Sequence, residues 1–199
     1  TQRALDSGQA DEVVRLLAEI GTLRSVLEES RGGLSLARAE QEVVPVDEHW
    51  DLAFRSPLAV EEHNAQISLL TGMAAARLMI DAGVGILRTM PAAGQDDLAR
   101  LRLRALALGV DWPQGMPYGA VLRGLDRSRP ATAAFLAAAT ALFRGAAWTS
   151  FDGEPPADPV HGAVGAPYAH VTAPLRRLVD RYGLEIGRAS CRERVYLCV

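Results

Sequence analysis

Lysine is absent from this chain: all 21 of its basic residues are arginine. Coding bias toward GC-rich codons, which also favours the many alanines, accounts for that without an arginine-specific need. Against 24 acidic residues the formal charge is −3, which excludes the global basic field that supports sequence-independent binding to nucleic acid. Any contact with a polyanion must therefore be local. Only two cysteines occur, Cys191 and Cys198, both near the end of the chain. The rest offers neither a disulfide framework nor a thiolate metal site, which fits a cytoplasmic protein. No apolar run reaches the roughly 18–20 residues that span a bilayer, and Thr1–Gln9 is polar with no signal-peptide core, so the expectation is a soluble chain. A glycine-rich phosphate loop before a strand-to-helix turn is missing, and Ser150 has no supporting nucleophile context. His49, His63 and His161 show no metal-ligand spacing and read as surface or packing residues.

With 49% hydrophobic and 23% charged residues, the composition is that of a globular protein, and one compact unit is the expectation. Val13, Leu16, Leu17, Ile20, Leu23 and Leu27 recur at spacings of three and four, an amphipathic helix that Gly32-Gly33 ends. Trp50, Leu52 and Phe54 alternate with polar neighbours as in a half-buried strand, and Pro45 with Asp47-Glu48-His49 suggests a hairpin turn or an edge. Ser56-Pro57 opens a long helix to about Asp81 with Val60, Ile67, Leu70, Ala74 and Leu78 near one face. Gly83 and Gly85 stop it, and Ile86 to Pro91 reads as a short extended connection. Helices are expected over 96–108, 118–125 and 130–144; Asp96-Asp97 suits the first turn of one, and Arg100, Arg102 and Arg104 spread round it as solvated charges. A loop over 150–166 follows, carrying Gly153, Pro155, Pro156, Pro159 and Gly162. The fold class is α+β, predominantly helical, with a small β element.

The chain starts without Met and its amphipathic pattern is under way by Val13, so it reads as a fragment. Residues 185–199 break abruptly in composition and resemble translated sequencing-adapter read-through. They are set apart as a non-native tail, leaving 1–184 as the protein proper; a short basic extension with a functional cysteine pair is the other reading.

The loop leads into Tyr168-Ala169-His170-Val171-Thr172-Ala173-Pro174-Leu175-Arg176-Arg177-Leu178-Val179-Asp180. Thr172 is an N-cap type of residue and Pro174 suits a first helical turn, so a helix is expected to begin here. Arg176 and Arg177 then oppose the positive end of the helix dipole by roughly 0.3–1 kcal/mol each. A phosphate held by free N–H groups and guanidinium forks would explain them. So would an ordinary pairing of Asp180 with Arg176 at i+4 or Arg177 at i+3 on a solvated helix face.

The whole string resembles the YAHFTSPIRRYxD signature near the end of the catalytic domain in the ribonuclease II / ribonuclease R (RNB) family of exoribonucleases. Tyr168, Ala169, His170, Thr172, Pro174, Arg176, Arg177 and Asp180 match it, while Ala173 replaces the usual Ser and Leu178 the usual aromatic. The segments Leu23 to Leu34, Ser56 to Glu62 and Arg88 are also family-like, with Met90 where a His is common, so the similarity runs over roughly residues 10 to 184. It implies the carboxy-terminal half of an RNB catalytic domain, part of a Mg²⁺-dependent, processive 3′→5′ exoribonuclease that hydrolyses single-stranded RNA to nucleoside monophosphates. Family members hold the metal with an aspartate cluster upstream of this region, so the ligands are not expected here and this piece alone is expected to be inactive. Arg176 is implied to contact the scissile phosphate. Arg177, His170, Thr172 and Tyr168 are implied to line the RNA track or brace it, and Glu62 to approach the RNA near its 3′ end. First-turn dipole charge is the plain alternative for Glu61 and Glu62. Neither DNA nor a membrane is an expected partner. The rival functions are a non-catalytic RNA-binding relative and a helical interaction protein.

Overall fold

The computed structural model describes residues 1–36, 40–55, 57–126 and 129–196, without the side chains of 40, 54 and 189–196. Its elements run, in chain order, α1 (Gln2–Asp6), α2 (Glu12–Ser30), β1 (Glu40–Val46), β2 (His49–Arg55), α3 (Ala59–Ala82), β3 (Val84–Thr89), α4 (Gln95–Ala107), α5 (Tyr118–Arg123), α6 (Pro130–Ala139), β4 (Ala147–Asp152), β5 (Val160–His161), β6 (Ala166–Pro167) and α7 (Leu178–Tyr196). About half the chain is helical, and the strands form three separate antiparallel pairs, β1 with β2, β3 with β4 and β5 with β6. This is α+β as expected, with more β structure than the single small element anticipated. None of the described helices is long and apolar enough to cross a membrane.

The chain divides into two compact units, one of Thr1–Leu27 and Ser35–Ile67, the other of Glu28–Leu34 and Ser68–Val199. In the first, the Asp11 carboxylate accepts the Val14 N–H at 2.9 Å and caps α2. A two-residue turn joins β1 to β2, with Val46 opposite His49 and Asp47 at φ 52°, a left-handed conformation that Asp tolerates better than most residues. The hairpin is where the Pro45 and Asp47 signals put it. Its strand is not half-buried, however: Trp50 and Leu52 are exposed, since in a two-stranded sheet alternation alone supplies no covering layer. Glu61 accepts the Leu58 N–H at 2.8 Å and pairs with Arg55, so it caps α3. Ser56, expected to open this helix, lies outside the described residues.

In the second unit α2 ends at Gly32, whose φ of 77° lets the Gly33 N–H return to Glu28 O at 2.8 Å in a Schellman arrangement. The α3 face that is buried here is Gly72, Ala76 and Met79; Leu70, Ala74 and Leu78, expected on the buried face, are exposed. Ala76 and Met79 pack with Leu87 of β3 and with Ala169 and Val171, flanked by Phe151 and Ile186. Each fully buried Met or Leu contributes about 1.5–3 kcal/mol. Strand β3 stands where a connection was expected, and its partner β4 occupies the start of the expected 150–166 loop. Arg88 lies opposite Trp148 and Thr89 opposite Ala147 in that pair. Leu101 and Ala105 of α4, Val121 and Leu122 of α5, and Phe135 and Ala139 of α6 are buried. Arg100 pairs with Asp97, while Arg102 lies over the Trp112 ring, so that charge is only partly solvated. Helix α7 continues past Leu184 to Tyr196.

Candidate functional site

The segment 168–171 runs extended between α3 and β3. The Ala169 N–H donates to Gly72 O at 3.0 Å and the Arg88 N–H donates to Tyr168 O at 2.7 Å. Gly72 permits this approach, because a Cβ there would collide with the Tyr168 ring and stand 2.7 Å from Ala169 O. Tyr168, Ala169 and Val171 are buried as a result.

The expected helix start at Thr172 is displaced. Helix α7 begins at Leu178, and Thr172 is exposed without a capping role. Residues 173–177 instead make one tight turn, with the N–H groups of Arg176 and Arg177 both donating to Ala173 O, at 3.2 and 3.0 Å. Those two N–H groups are spent inside the turn, so anion binding by it falls to the guanidinium groups. The physical reason for the displacement is Asp180. Its Oδ1 accepts the Ala173 N–H at 2.9 Å and Arg177 Nε at 2.8 Å, closing the turn against the first turn of α7. Asp180 is 0% exposed, so the i+3 pair is a buried clasp and not a solvated surface bridge. Arg176 is left outside it, exposed and with no hydrogen-bond or ion-pair partner for its guanidinium among the described residues, beside Leu175.

Behind the turn lies a cluster of rings and cations. The Tyr168 ring stands edge-on to His170 at 5.5 Å and to His161 at 6.0 Å, and His170 meets Trp148 at 6.2 Å. The Arg88 guanidinium lies over the Trp148 ring, 4.0 Å from its centroid. His161 reaches this cluster through β5, beside which the Gly162 N–H donates to Met90 O at 2.8 Å. Burial, then the Arg177 charge, push His170 down to about 4, against a weaker opposing pull from Asp180. Burial and Arg88 also lower His161, and burial raises the Tyr168 hydroxyl. Both imidazoles are therefore neutral at neutral pH, and the charged groups acting on them are Arg88 and Arg177 against Asp180. Arg88 Nη1, His161 Nδ1, His170 Nδ1 and Asp180 Oδ2 are buried without a protein hydrogen-bond partner.

Of the residues singled out in the sequence, Tyr168, His170 and Arg177 come together, while Thr172 and Arg176 lie exposed on the same segment. Glu62 sits in the first turn of α3, in the other unit, as the dipole reading of that acid has it. Trp148 and Arg88 were not proposed as site residues. Only the β3–β4 pairing joins them, and nothing local to either residue signals it. His161, set aside as a surface or packing residue, is half-buried against Tyr168. Among the described residues no group of three or more His, Cys, Asp or Glu side chains is placed to hold a metal.

A small antiparallel sheet packed against helices, leading into an arginine-bearing turn, defines this as an α+β chain. The particular likeness is to RNase R. The chain superposes on Mycoplasma genitalium RNase R in complex with ribose-methylated single-stranded RNA with a TM-score of 0.66 at 20% identity, covering 87% of this chain and 27% of that one. For the same enzyme in complex with double-stranded RNA the TM-score is 0.68 at 18% identity, covering 94% and 34%. Yeast Ssd1, a pseudonuclease, matches with a TM-score of 0.58 at 15% identity over 70% of this chain and 17% of its own. The chain thus spans about a third or less of the RNase R chains it resembles. No family model and no curated protein matches the sequence.

Proposed function

We propose that this chain is the phosphate-contacting part of a cytoplasmic 3′→5′ exoribonuclease acting on single-stranded RNA and releasing nucleoside monophosphates, with Arg176 as the group that touches the phosphate. The observation that carries this is the exposed, unpaired Arg176 guanidinium on a turn held by the buried Asp180 clasp. A fixed turn presenting an unsatisfied fork is preorganised for a phosphate oxygen pair, where a charge-assisted bond is about twice as strong as a neutral one. Arg177 closes the turn and adds positive charge, and Tyr168 and His170 form the wall behind it. The likeness to RNase R supports RNA as the polyanion. In this reading the Mg²⁺ of the full-length enzyme is assigned to carboxylates outside this chain, and no step through a metal is assigned to the residues described here.

A second reading has a specific observation in its favour: the chain also resembles the pseudonuclease Ssd1. In that case the same turn binds RNA without cleavage. The test is fluorescence anisotropy of a labelled single-stranded RNA across a salt series. Arg176→Ala should weaken binding about tenfold and reduce the slope of log K against log salt by about 0.7, one phosphate contact on a single strand. Unchanged affinity and slope would remove Arg176 from the interface. Hydrolysis by a longer protein that carries the upstream carboxylates, lost in Arg176→Ala, separates nuclease from pure binder.

A further inference from the structure

Trp148 is 54% exposed although its ring is fixed from several sides: Arg88 lies on it, His170 meets it edge-on, and β4 holds its backbone. It lines a groove of about 360 Å³ together with Ile86, Ser150, Leu178, Val179 and Tyr182. Leu178 and Tyr182 are exposed too. The groove begins where the arginine turn ends, because Leu178 directly follows Arg177. An apolar, aromatic slot thus adjoins a turn that presents a free guanidinium.

We propose that this groove is a nucleobase-stacking subsite in which one base of a single-stranded RNA lies against Trp148 while its phosphate is held by Arg176. The proposal rests on the RNA-binding reading above and adds to it the part of the nucleotide that the arginines cannot recognise. Three features favour a nucleotide over another occupant. A nucleotide joins a planar aromatic group to an anion within one unit, as this surface joins an aromatic groove to a cation. Arg88, stacked on the indole, places a second cation beside the aromatic surface. The packed side chains also hold Trp148 in place before binding, so little rotamer entropy is lost when a base stacks on it. Every base has a π-face, so the subsite would tolerate any sequence and reject an abasic unit.

The test uses the full chain with two fluorescent probes of equal length, a single-stranded oligoadenylate and an abasic ribose-phosphate oligomer. The wild type should bind oligoadenylate at least fivefold more tightly than the abasic probe. Trp148→Leu, which fills the groove without a π-face, should lose about tenfold for oligoadenylate and nothing for the abasic probe; Trp148→Phe should stay within about threefold of wild type. Thermal melts check that the variants fold. If the leucine variant does not fold, the wild-type preference for the base-bearing probe still decides the matter. Equal wild-type affinity for both probes overturns the subsite, leaves the RNA reading standing, and assigns the groove to covering polypeptide. Binding of neither probe overturns both.

Discussion

Asp180 is the residue on which the arginine turn depends. One carboxylate oxygen takes both the Ala173 N–H and Arg177 Nε, so backbone and side chain are tied at the same point. Arg177→Ala would leave a fully buried carboxylate without its counter-charge. The expected cost is about 3 kcal/mol by urea denaturation, toward the lower end for a broken buried pair because the Arg177 side chain is 27% exposed. A loss under about 0.5 kcal/mol would show that the pair is not structural. Arg176→Ala removes only an exposed side chain and should leave stability unchanged, so its effect on RNA separates binding from folding. The i+3 spacing of Arg177 and Asp180 was visible in the sequence. Its burial was not, because spacing says which residues can meet and not what packs over them.

Among the elements, the passage of 168–171 beside α3 depends on Gly72. Any side chain there would strike Tyr168 and the Ala169 carbonyl, a backbone contact that cannot be relieved by a rotamer change. Gly72→Ala should therefore destabilise by about 1–3 kcal/mol despite the better helix propensity of alanine, and should weaken the ring contacts of Tyr168. Denaturation with near-ultraviolet circular dichroism checks both; a stabilised variant would mean that the segment does not lie against the helix. The same elements show where pattern reading failed. Strand β4, Ala-Trp-Thr-Ser-Phe-Asp, is short and half polar, and its partner β3 lies about sixty residues earlier in the chain. A window of local sequence carries no information about that pairing. The α7 start was misplaced for a related reason: Thr172 and Pro174 are good N-terminal residues, but the buried Asp180 clasp closes a separate turn before the helix begins.

Taken over the full chain, the charge balance of −3 coexists with two arginines and one aspartate at the ring cluster and a third arginine on the adjoining turn. Positive charge is gathered locally, as the composition required of any polyanion binder. Burial of the two histidines, reinforced by that charge, makes stability pH-dependent. His170 titrates at about 4 in the folded chain, and His161 is also lowered. In the unfolded chain both return to about 6.5. Unfolding therefore takes up protons: stability is full above about pH 6.5 and is lost as the pH falls toward 4. Melting temperature should drop between pH 7 and 4.5, and His170→Gln should flatten that drop. Parallel curves for the two proteins would mean that the imidazole is not held neutral by its surroundings.

The amino-acid order alone established the α+β class, the approximate extent of α2, a turn near Asp47, the acidic balance that leaves any polyanion contact to be local, and the string from Tyr168 to Asp180. Those are legible because helix periodicity, turn residues and charge are local properties. The burial of Asp180, an Arg176 guanidinium without a partner among the described residues, and the joining of Arg88 to Trp148 came only with the folded chain. Each depends on which distant segment packs against which, and that is set by the summed fit of strands, helices and the Gly72 gap rather than by any one stretch. The arginine turn was thus foreshadowed in sequence, while the aromatic groove beside it exists only in three dimensions.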